Sequence, residues 1–216
     1  MDAPPLRAIV EKYHPASVLD IGCGNGAALH VFRSCGVTEV LGVDGIDAAA
    51  TVLGPGEYQC CDLQAPFDAQ RRFDLVTCLE VVEHLRPETT TLLLDTIERH
   101  ARDLILFSMA GKGQPGNGHI NCRDMAEVLA LWRARGWQPV MPDTLALRAF
   151  STLSWFRRNL VLLRRTGETQ ETPQARQLVR ISEMPYHWYS QKSGLRLAAF
   201  AEPYPALPKG YGLRLR

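Results

Sequence analysis

The chain has 216 residues, a hydrophobic content of 46% and a formal net charge of +1. This length is sufficient for the core of one α/β domain with some additional elements. No apolar run approaches the roughly 20 residues of a membrane-spanning helix, and the start at Met1-Asp2 lacks the apolar region of a secretory signal. The sequence therefore predicts a protein without a membrane span, located in the cytoplasm.

Charge is distributed unevenly along the chain. Residues 1–144 contain 12 basic and 19 acidic residues, whereas residues 145–216 contain 12 basic and 4 acidic residues. A basic segment can bind an anionic substrate, nucleic acid or a membrane surface, and it can equally pack against the acidic part of its own chain. The charge pattern leaves both interpretations of residues 145–216 open.

Strand and helix patterns alternate through the first half of the chain. The predicted helices are 6–13, a helix beginning near 27, 88–100 and 123–135. The predicted strands are 17–21, 39–44, 58–62, 73–79 and 104–108. This alternation predicts an α/β fold with a doubly wound, mostly parallel sheet and right-handed crossovers. Ligands bind such sheets beyond the carboxyl ends of the strands.

The pattern changes after the fifth predicted strand. A glycine-rich polar loop occupies residues 111–118, and residues 1–144 are expected to form the main domain. The following segment contains Trp155, Phe156 and a short apolar run at 160–163 between pairs of arginines. Residues 145–216 are therefore predicted to form a basic, aromatic-containing C-terminal extension packed on that domain.

A glycine-rich turn, Gly22-Cys23-Gly24-Asn25-Gly26, follows the first predicted strand and precedes a helix. Glycines allow the backbone to approach a ligand closely, and the helix that follows presents free N–H groups. The spacing Gly22-x-Gly24-x-x-Ala27 also fits the dinucleotide-binding fingerprint. A nicotinamide-dependent oxidoreductase is therefore an alternative at this point.

Acidic residues at three successive strand ends favour a different ligand. Asp20 lies within the end of the first strand, where a buried carboxylate needs donors such as the ammonium group of a bound amino acid. Asp44 ends the second strand, where it can accept hydrogen bonds from both hydroxyls of a ribose. Asp62 ends the third, where it can accept from an adenine amino group.

With these acids, the segment Val18-Leu19-Asp20-Ile21-Gly22-Cys23-Gly24-Asn25-Gly26 resembles motif I of the class I S-adenosylmethionine-dependent methyltransferases. The resemblance extends over the first half to two-thirds of the chain and implies the Rossmann-like methyltransferase fold, S-adenosylmethionine as cofactor and methyl transfer as activity. It assigns the methionine moiety to Asp20 and the glycine turn, the ribose to Asp44 and the adenine to Asp62. The implied cofactor-binding residues are Asp20, Gly22, Cys23, Gly24, Gly26, Asp44, Gly45, Cys61, Asp62, Leu63 and Leu79.

Candidate catalytic residues follow the fourth predicted strand. Glu80, Glu83 and His84 share one face if this stretch is helical. Methyl transfer requires alignment of the acceptor and removal of its proton. A histidine is suited to this step near neutral pH, so the predicted catalytic residues are His84, Glu80 and, after the glycine-rich loop, His119.

The same side chains form a candidate metal site. Glu80, Glu83, His84 and His119 offer two carboxylates and two imidazoles, a suitable ligand set for a divalent cation. This arrangement resembles that of the small-RNA 3′-terminal 2′-O-methyltransferases, and ubiquinone-pathway O-methyltransferases have a similar Glu-x-x-Glu-His segment. In many class I methyltransferases the same segment only lines the cofactor pocket, so the metal-free interpretation also stays open.

The favoured acceptor is a polar small molecule, such as a sugar or a related metabolite, methylated at oxygen. Loop 111–121 and segment 155–160 are similar to a bacterial methyltransferase group suspected of acting on sugars. Aromatic rings and arginines also suit single-stranded nucleic acid, so a metal-dependent RNA 2′-O-methyltransferase is the alternative. A protein that binds the cofactor without turnover is the non-enzymatic alternative.

Overall fold

In the computed structural model, which describes residues 1–184, seven strands form one sheet. Numbered in chain order, they are β1 (Ser17–Ile21), β2 (Glu39–Asp44), β3 (Tyr58–Cys60), β4 (Phe73–Leu79), β5 (Ala101–Ser108), β6 (Trp137–Pro139) and β7 (Val161–Arg165). Their order across the sheet is β3-β2-β1-β4-β5-β7-β6. Strands β1 to β5 are parallel, whereas β7 is antiparallel to both of its neighbours. The predicted doubly wound, mostly parallel α/β sheet is confirmed.

Helices cover both faces of the sheet. They are α1 (Ala3–Tyr13), α2 (Ala27–Ser34), α3 (Thr90–His100), α4 (Met125–Arg133), α5 (Met141–Phe150), α6 (Ser154–Asn159) and α7 (Pro173–Ser182). One hydrophobic core packs α3, α4 and α7 on the sheet, and a second packs α1, α2 and α6 on the other face. Parallel strands covered on both sides read as continuous apolar runs. All five residues of β1 are accordingly buried.

Several boundaries of the predicted elements shift. Strand β5 begins at Ala101 rather than residue 104, and α4 spans Met125–Arg133 rather than 123–135. Helix α1 begins at Ala3 rather than residue 6, because the two prolines that follow fit the first turn of a helix. Strand β3 ends at Cys60, so Asp62 lies beyond the strand rather than at its end. A 3-10 turn at Pro87–Thr89 precedes α3, which begins two residues later than predicted.

The largest difference concerns the segment predicted as a C-terminal extension. Strand β7 lies between β5 and β6 within the main sheet, and Leu162 and Leu163 are fully buried there. The boundary proposed at residue 144 therefore falls inside the sheet-forming part of the chain. The apolar run at 160–163 does not by itself indicate which strand it pairs with. Its antiparallel pairing with β5 joins residues more than fifty positions apart, which local sequence patterns do not predict. Residues 185–216 of the proposed extension lie outside the described residues.

Within residues 1–184, no helix is long and apolar enough to cross a membrane.

Replacement of Leu162 tests the placement of β7. Leu162 is 0% exposed, so Leu162→Ala should lower the free energy of unfolding by about 2–5 kcal/mol through lost burial and an unfilled cavity. Val52, which is 62% exposed, supplies the control: Val52→Ala should change stability by less than about 0.5 kcal/mol. Urea unfolding measures both variants, and similar small effects of the two would contradict the central position of β7.

Candidate active site

The predicted cofactor-binding residues gather at the carboxyl edge of the sheet. Asp20 is the fourth residue of β1, Asp44 ends β2 and Leu79 ends β4. Because the parallel strands β1 to β4 end at the same edge, the glycine turn after β1 lies beside Asp44. The loop after β4 and the loop after β5 extend this edge toward β7.

The glycine turn is fixed by close packing on both sides. Gly22 has φ +79°, and a Cβ added there would lie 2.3 Å from Val81 Cγ2. Gly26 has φ +82°, and an added Cβ would lie 2.5 Å from Leu53 Cγ. The Gly22 N–H donates to the Val43 carbonyl at 2.8 Å, which ties the turn to β2. Left-handed conformation and lack of space together explain why glycine occupies these two positions.

Asp44 joins the glycine turn to the loops after β2 and β3. The Gly24 N–H donates to Asp44 Oδ2 at 2.8 Å, and the Ile46 N–H donates to Oδ1 at 3.3 Å. The Cys61 N–H donates to the Asp44 carbonyl at 2.9 Å. A Cβ added at Gly45 would lie 3.7 Å from the Cys61 carbonyl, so these two residues are neighbours. Each Asp44 carboxylate oxygen keeps a further lone pair for a ligand.

The residues after β3 lie at the outer part of this edge. Asp62 is exposed, and its Oδ1 accepts a hydrogen bond from the Gln64 N–H at 2.9 Å. Leu63 is half-buried against one of the two hydrophobic cores. The structure thus places a carboxylate and an apolar side chain beside each other, next to Cys61.

Asp20 is a carboxylate inside the sheet. It is 3% exposed, and Thr77 Oγ1 on β4 donates to its Oδ1 at 2.6 Å. Burial raises the pKa of Asp20 to about 6; the Asp44 charge acts in the same direction, and the Thr77 hydrogen bond opposes it. Burial, with the Asp20 charge next, also raises the pKa of the Cys23 thiol. An uncompensated carboxylate in this position favours a cationic partner.

The backbone directly after β4 is not an α-helix. Glu80 has φ +56°, and its N–H donates to the Ser108 carbonyl at 3.1 Å, which continues the pairing between β4 and β5 by one residue. Only Val82–His84 form a 3-10 turn. The condition for one helical face of Glu80, Glu83 and His84 is therefore not met, because the left-handed Glu80 turns the chain sharply. The loop nonetheless brings the three side chains close together.

Glu80 and Glu83 form a buried carboxyl pair. Burial first, and the Glu83 charge second, raise the pKa of Glu80 to about 7. Burial also raises the pKa of Glu83, although its Oε1 accepts from the Ala110 N–H at 3.1 Å. Among residues 1–184, Glu80 Oε1 and Glu83 Oε2 are buried without a donor. The two groups are close enough to share a proton, and a cation could take its place.

His84 and His119 contact each other close to Glu83. The His84 and His119 rings lie 5.1 Å apart with an interplanar angle of 69°. One ligand atom each from Glu83, His84 and His119 lie within 4.8 Å of one another, whereas Glu80 is outside this group. Gly116 leaves room for the His119 ring, since a Cβ there would lie 2.1 Å from His119 Cε1. Three of the four predicted metal ligands therefore form a compact cluster.

Sequence reasoning missed several polar contacts of this site. Thr77 bonds Asp20 from the neighbouring strand. Gln114 in the glycine-rich loop donates to Glu80 Oε2 at 3.4 Å and accepts from Asn159 Nδ2 at 2.8 Å. Two of the polar side chains lie on strand β4 and helix α6, and the third lies in an irregular loop. Nothing in their spacing indicates that they meet, because the contacts join distant parts of the chain.

A sequence profile described as a methyltransferase domain matches residues 3–142. The chain belongs to the class I methyltransferase family. The antiparallel β7 between β5 and β6 also differs from the order 3-2-1-4-5-6 of the dinucleotide-binding fold, which argues against an oxidoreductase.

Several characterised proteins are similar to this family member. A small RNA 2′-O-methyltransferase of Gallus gallus is 30% identical, over 38% of this chain and 27% of that protein. A ubiquinone biosynthesis O-methyltransferase of Neisseria meningitidis is 27% identical, over 48% of each chain. The matches thus span a quarter to a half of these curated relatives. A sugar N-methyltransferase from Streptoalloteichus shares the fold at 18% identity, with a TM-score of 0.58 over 76% of this chain and 86% of that chain.

The pKa of Asp20 predicts a pH-dependent cost of folding. Its folded pKa of about 6 lies above the model-peptide value of 3.8, so the favourable contribution of the protonated group is complete below pH 3.8 and is lost as the pH rises through 6. Asp20→Asn keeps an acceptor for Thr77 and removes the buried charge. The variant should exceed the wild type in stability at pH 8 by about 3 kcal/mol, at 1.36 kcal/mol per pKa unit, and by less at pH 4.5.

Urea unfolding at the two pH values measures this difference. The exposed Asp47 provides the matched change, since Asp47→Asn should give the same small effect at both pH values. An Asp20→Asn effect that does not depend on pH would contradict the buried charge as its cause.

Proposed function

We propose that this chain transfers the methyl group of S-adenosylmethionine to a hydroxyl oxygen of a polar small molecule, such as a sugar or a related metabolite. The observation that carries the proposal is the buried Asp20 carboxylate beside the glycine turn, with Asp44 hydrogen-bonded to that turn. Membership of the methyltransferase family supports the same reaction class. The acceptor class draws support from the fold shared with a sugar N-methyltransferase.

In this proposal, each part of S-adenosylmethionine contacts residues at or after the carboxyl end of a different strand. Asp20 would accept from the ammonium group, together with the backbone of the turn formed by Gly22, Cys23, Gly24 and Gly26. Asp44 would accept from the ribose hydroxyls, with Gly45 beside it. Asp62 would accept from the adenine amino group, and Cys61, Leu63 and Leu79 would line the ring. An acidic edge suits a ligand with a cationic ammonium and a cationic sulfonium.

The reacting end would use the groups after β4 and β5. When bound, the cofactor would supply an electrophilic methyl group on a sulfonium, whose carbon–sulfur bond would break to leave a neutral thioether as the acceptor oxygen bonds to the carbon. His119 or His84 would take the acceptor proton as general base, and Glu80 would orient the acceptor hydroxyl. The loop after β4 contacts the glycine turn through Val81 and the loop after β5 through the Glu83 carbonyl, which supports a catalytic role for these groups near the methyl group.

The acceptor would bind between the glycine-rich loop and α6. Asn159 on α6 bonds Gln114 of that loop at 2.8 Å, so the helix borders the candidate catalytic groups. Trp155 lies one helical turn before Asn159 and is 36% exposed. An exposed indole can cover the apolar face of a sugar ring, while loop amides bind its hydroxyls.

Cofactor binding tests the proposed function directly. Asp44→Asn keeps an acceptor for the Gly24 N–H but removes the charge that would bind the ribose, so S-adenosylhomocysteine should bind roughly ten- to a hundredfold more weakly. Calorimetric titration of the purified chain measures the affinity. Asp47→Asn, also a change next to β2, should bind S-adenosylhomocysteine like the wild type. NAD should not bind to the wild type. Binding of NAD in place of S-adenosylhomocysteine would refute the proposal.

A metal-dependent RNA 2′-O-methyltransferase is the second candidate function. The cluster of Glu83, His84 and His119, with the buried donor-free oxygen of Glu83, fits a divalent cation. Similarity to the small RNA 2′-O-methyltransferase of Gallus gallus favours the same function. Bound there, a cation would polarise the acceptor hydroxyl and lower its pKa.

Manganese binding tests the metal-dependent candidate. If the cluster is a metal site, the wild-type chain should bind Mn²⁺ alone, and His84→Ala and His119→Ala should each weaken binding about tenfold or more. The exposed His30 gives the control, since His30→Ala should not alter the affinity. Electron paramagnetic resonance of free Mn²⁺ measures all four proteins. Equal binding by all of them, or none, would exclude the metal-dependent function at this site.

A further inference from the structure

Gln114 contacts three parts of the candidate active site at once. Its side chain donates to Glu80 Oε2 at 3.4 Å and accepts from Asn159 Nδ2 at 2.8 Å. Its backbone carbonyl lies 3.3 Å from His119 Nδ1. We propose that Gln114 is a positioning residue that holds His119 and Glu80 in their working orientations, and that Asn159 anchors it to α6. The inference rests on the proposed function, in which these two side chains face the acceptor.

The carbonyl contact determines which nitrogen of His119 carries the proton. A carbonyl oxygen only accepts, so Nδ1 must donate to it. In the neutral ring, Nε2 then keeps its lone pair. That nitrogen, which packs beside Gly116, is then the one with the lone pair that could remove a proton or bind a cation, as expected when the other nitrogen is fixed by a carbonyl. The position of the Gln114 backbone therefore sets the reactive form of His119.

The side-chain contacts determine how the Gln114 amide points. The Asn159 amide group donates to Gln114 Oε1, which leaves Gln114 Nε2 directed at Glu80 Oε2. A reversed amide would place its oxygen against the carboxylate and lose both bonds. Glu80 Oε1 remains without a donor among residues 1–184. Asn159 thus fixes the amide that bonds Glu80 Oε2 and leaves Glu80 Oε1 as the oxygen without a donor.

The loop that carries Gln114 needs such an anchor. Four glycines lie between residues 111 and 118, and glycine loses more conformational freedom on ordering than any other residue. Locally, the Gln114 N–H bonds only the Gly111 carbonyl, at 3.0 Å, within the same loop. The bonds to Asn159 and Glu80 attach the loop to α6 and to the end of β4. Lys112 ties the start of the loop to Asp124 and Glu127, whereas the bonds of Gln114 hold the part of the loop that faces His119.

The tautomer of His119 can be measured directly, and a general loss of stability would not change it in the folded protein. We expect ¹⁵N spectra of the full chain, labelled at histidine, to show the Nδ1–H form of His119 in the wild type. In Gln114→Met and in the isosteric Asn159→Asp, this form should be lost in favour of a mixture with the Nε2–H form. The matched change is Gln138→Met on β6, which removes bonds to the Glu168 and Gln170 carbonyls far from His119. It should leave the wild-type His119 signals unchanged.

Thermal unfolding and calorimetric titration with S-adenosylhomocysteine accompany the spectra. All variants should remain folded and bind S-adenosylhomocysteine as the wild type does. Retention of the Nδ1–H form in both Gln114→Met and Asn159→Asp would overturn the positioning role. Failure of the wild type to bind S-adenosylhomocysteine would instead refute the proposed function, while the histidine spectra still decide the role of Gln114.

Discussion

A carboxylate enclosed in the most buried part of the sheet is the constraint on which the candidate site depends. Strand β1 is covered on both faces, yet its fourth residue is Asp20, whose carboxylate accepts a hydrogen bond from Thr77 of the neighbouring strand β4. A carboxylate in such a place opposes folding when it is ionised. The fold tolerates it at the carboxyl end of β1, where the glycine turn opens the sheet edge to a ligand. Stability is thereby given up at the position where a cationic group would bind.

The acidic character continues along the same edge. Asp44 lies near enough to raise the pKa of Asp20, and the carboxyl pair of Glu80 and Glu83 follows β4. Most of these groups are buried or half-buried, so their mutual repulsion is poorly screened. A cationic ligand or a shared proton relieves that repulsion. The negative charge at the carboxyl edge of the sheet therefore favours cationic ligands, independently of any specific contact.

Strands β1, β2, β4 and β5 could be predicted from the sequence because each is a short, mostly apolar segment between turn residues, as expected for parallel strands buried on both faces. The placement of Asp20, Asp44 and the glycine turn at one edge followed from the same pattern. Strand β7 could not be placed, since its antiparallel pairing depends on a contact with β5 that is distant in sequence. The left-handed Glu80 was missed because the local sequence contains no glycine there to indicate a sharp turn.

The correction at β7 changes how the site is bounded. Once β7 lies in the sheet next to β5, the helix just before it, α6, is held at the edge where the loop after β5 emerges. Asn159 at the end of α6 then reaches Gln114, and through it Glu80. The C-terminal half of the described chain therefore does more than cover the sheet. Strand β7 supports one wall of the candidate acceptor site. A strand that local sequence patterns do not predict therefore connects the fold to the candidate catalytic groups.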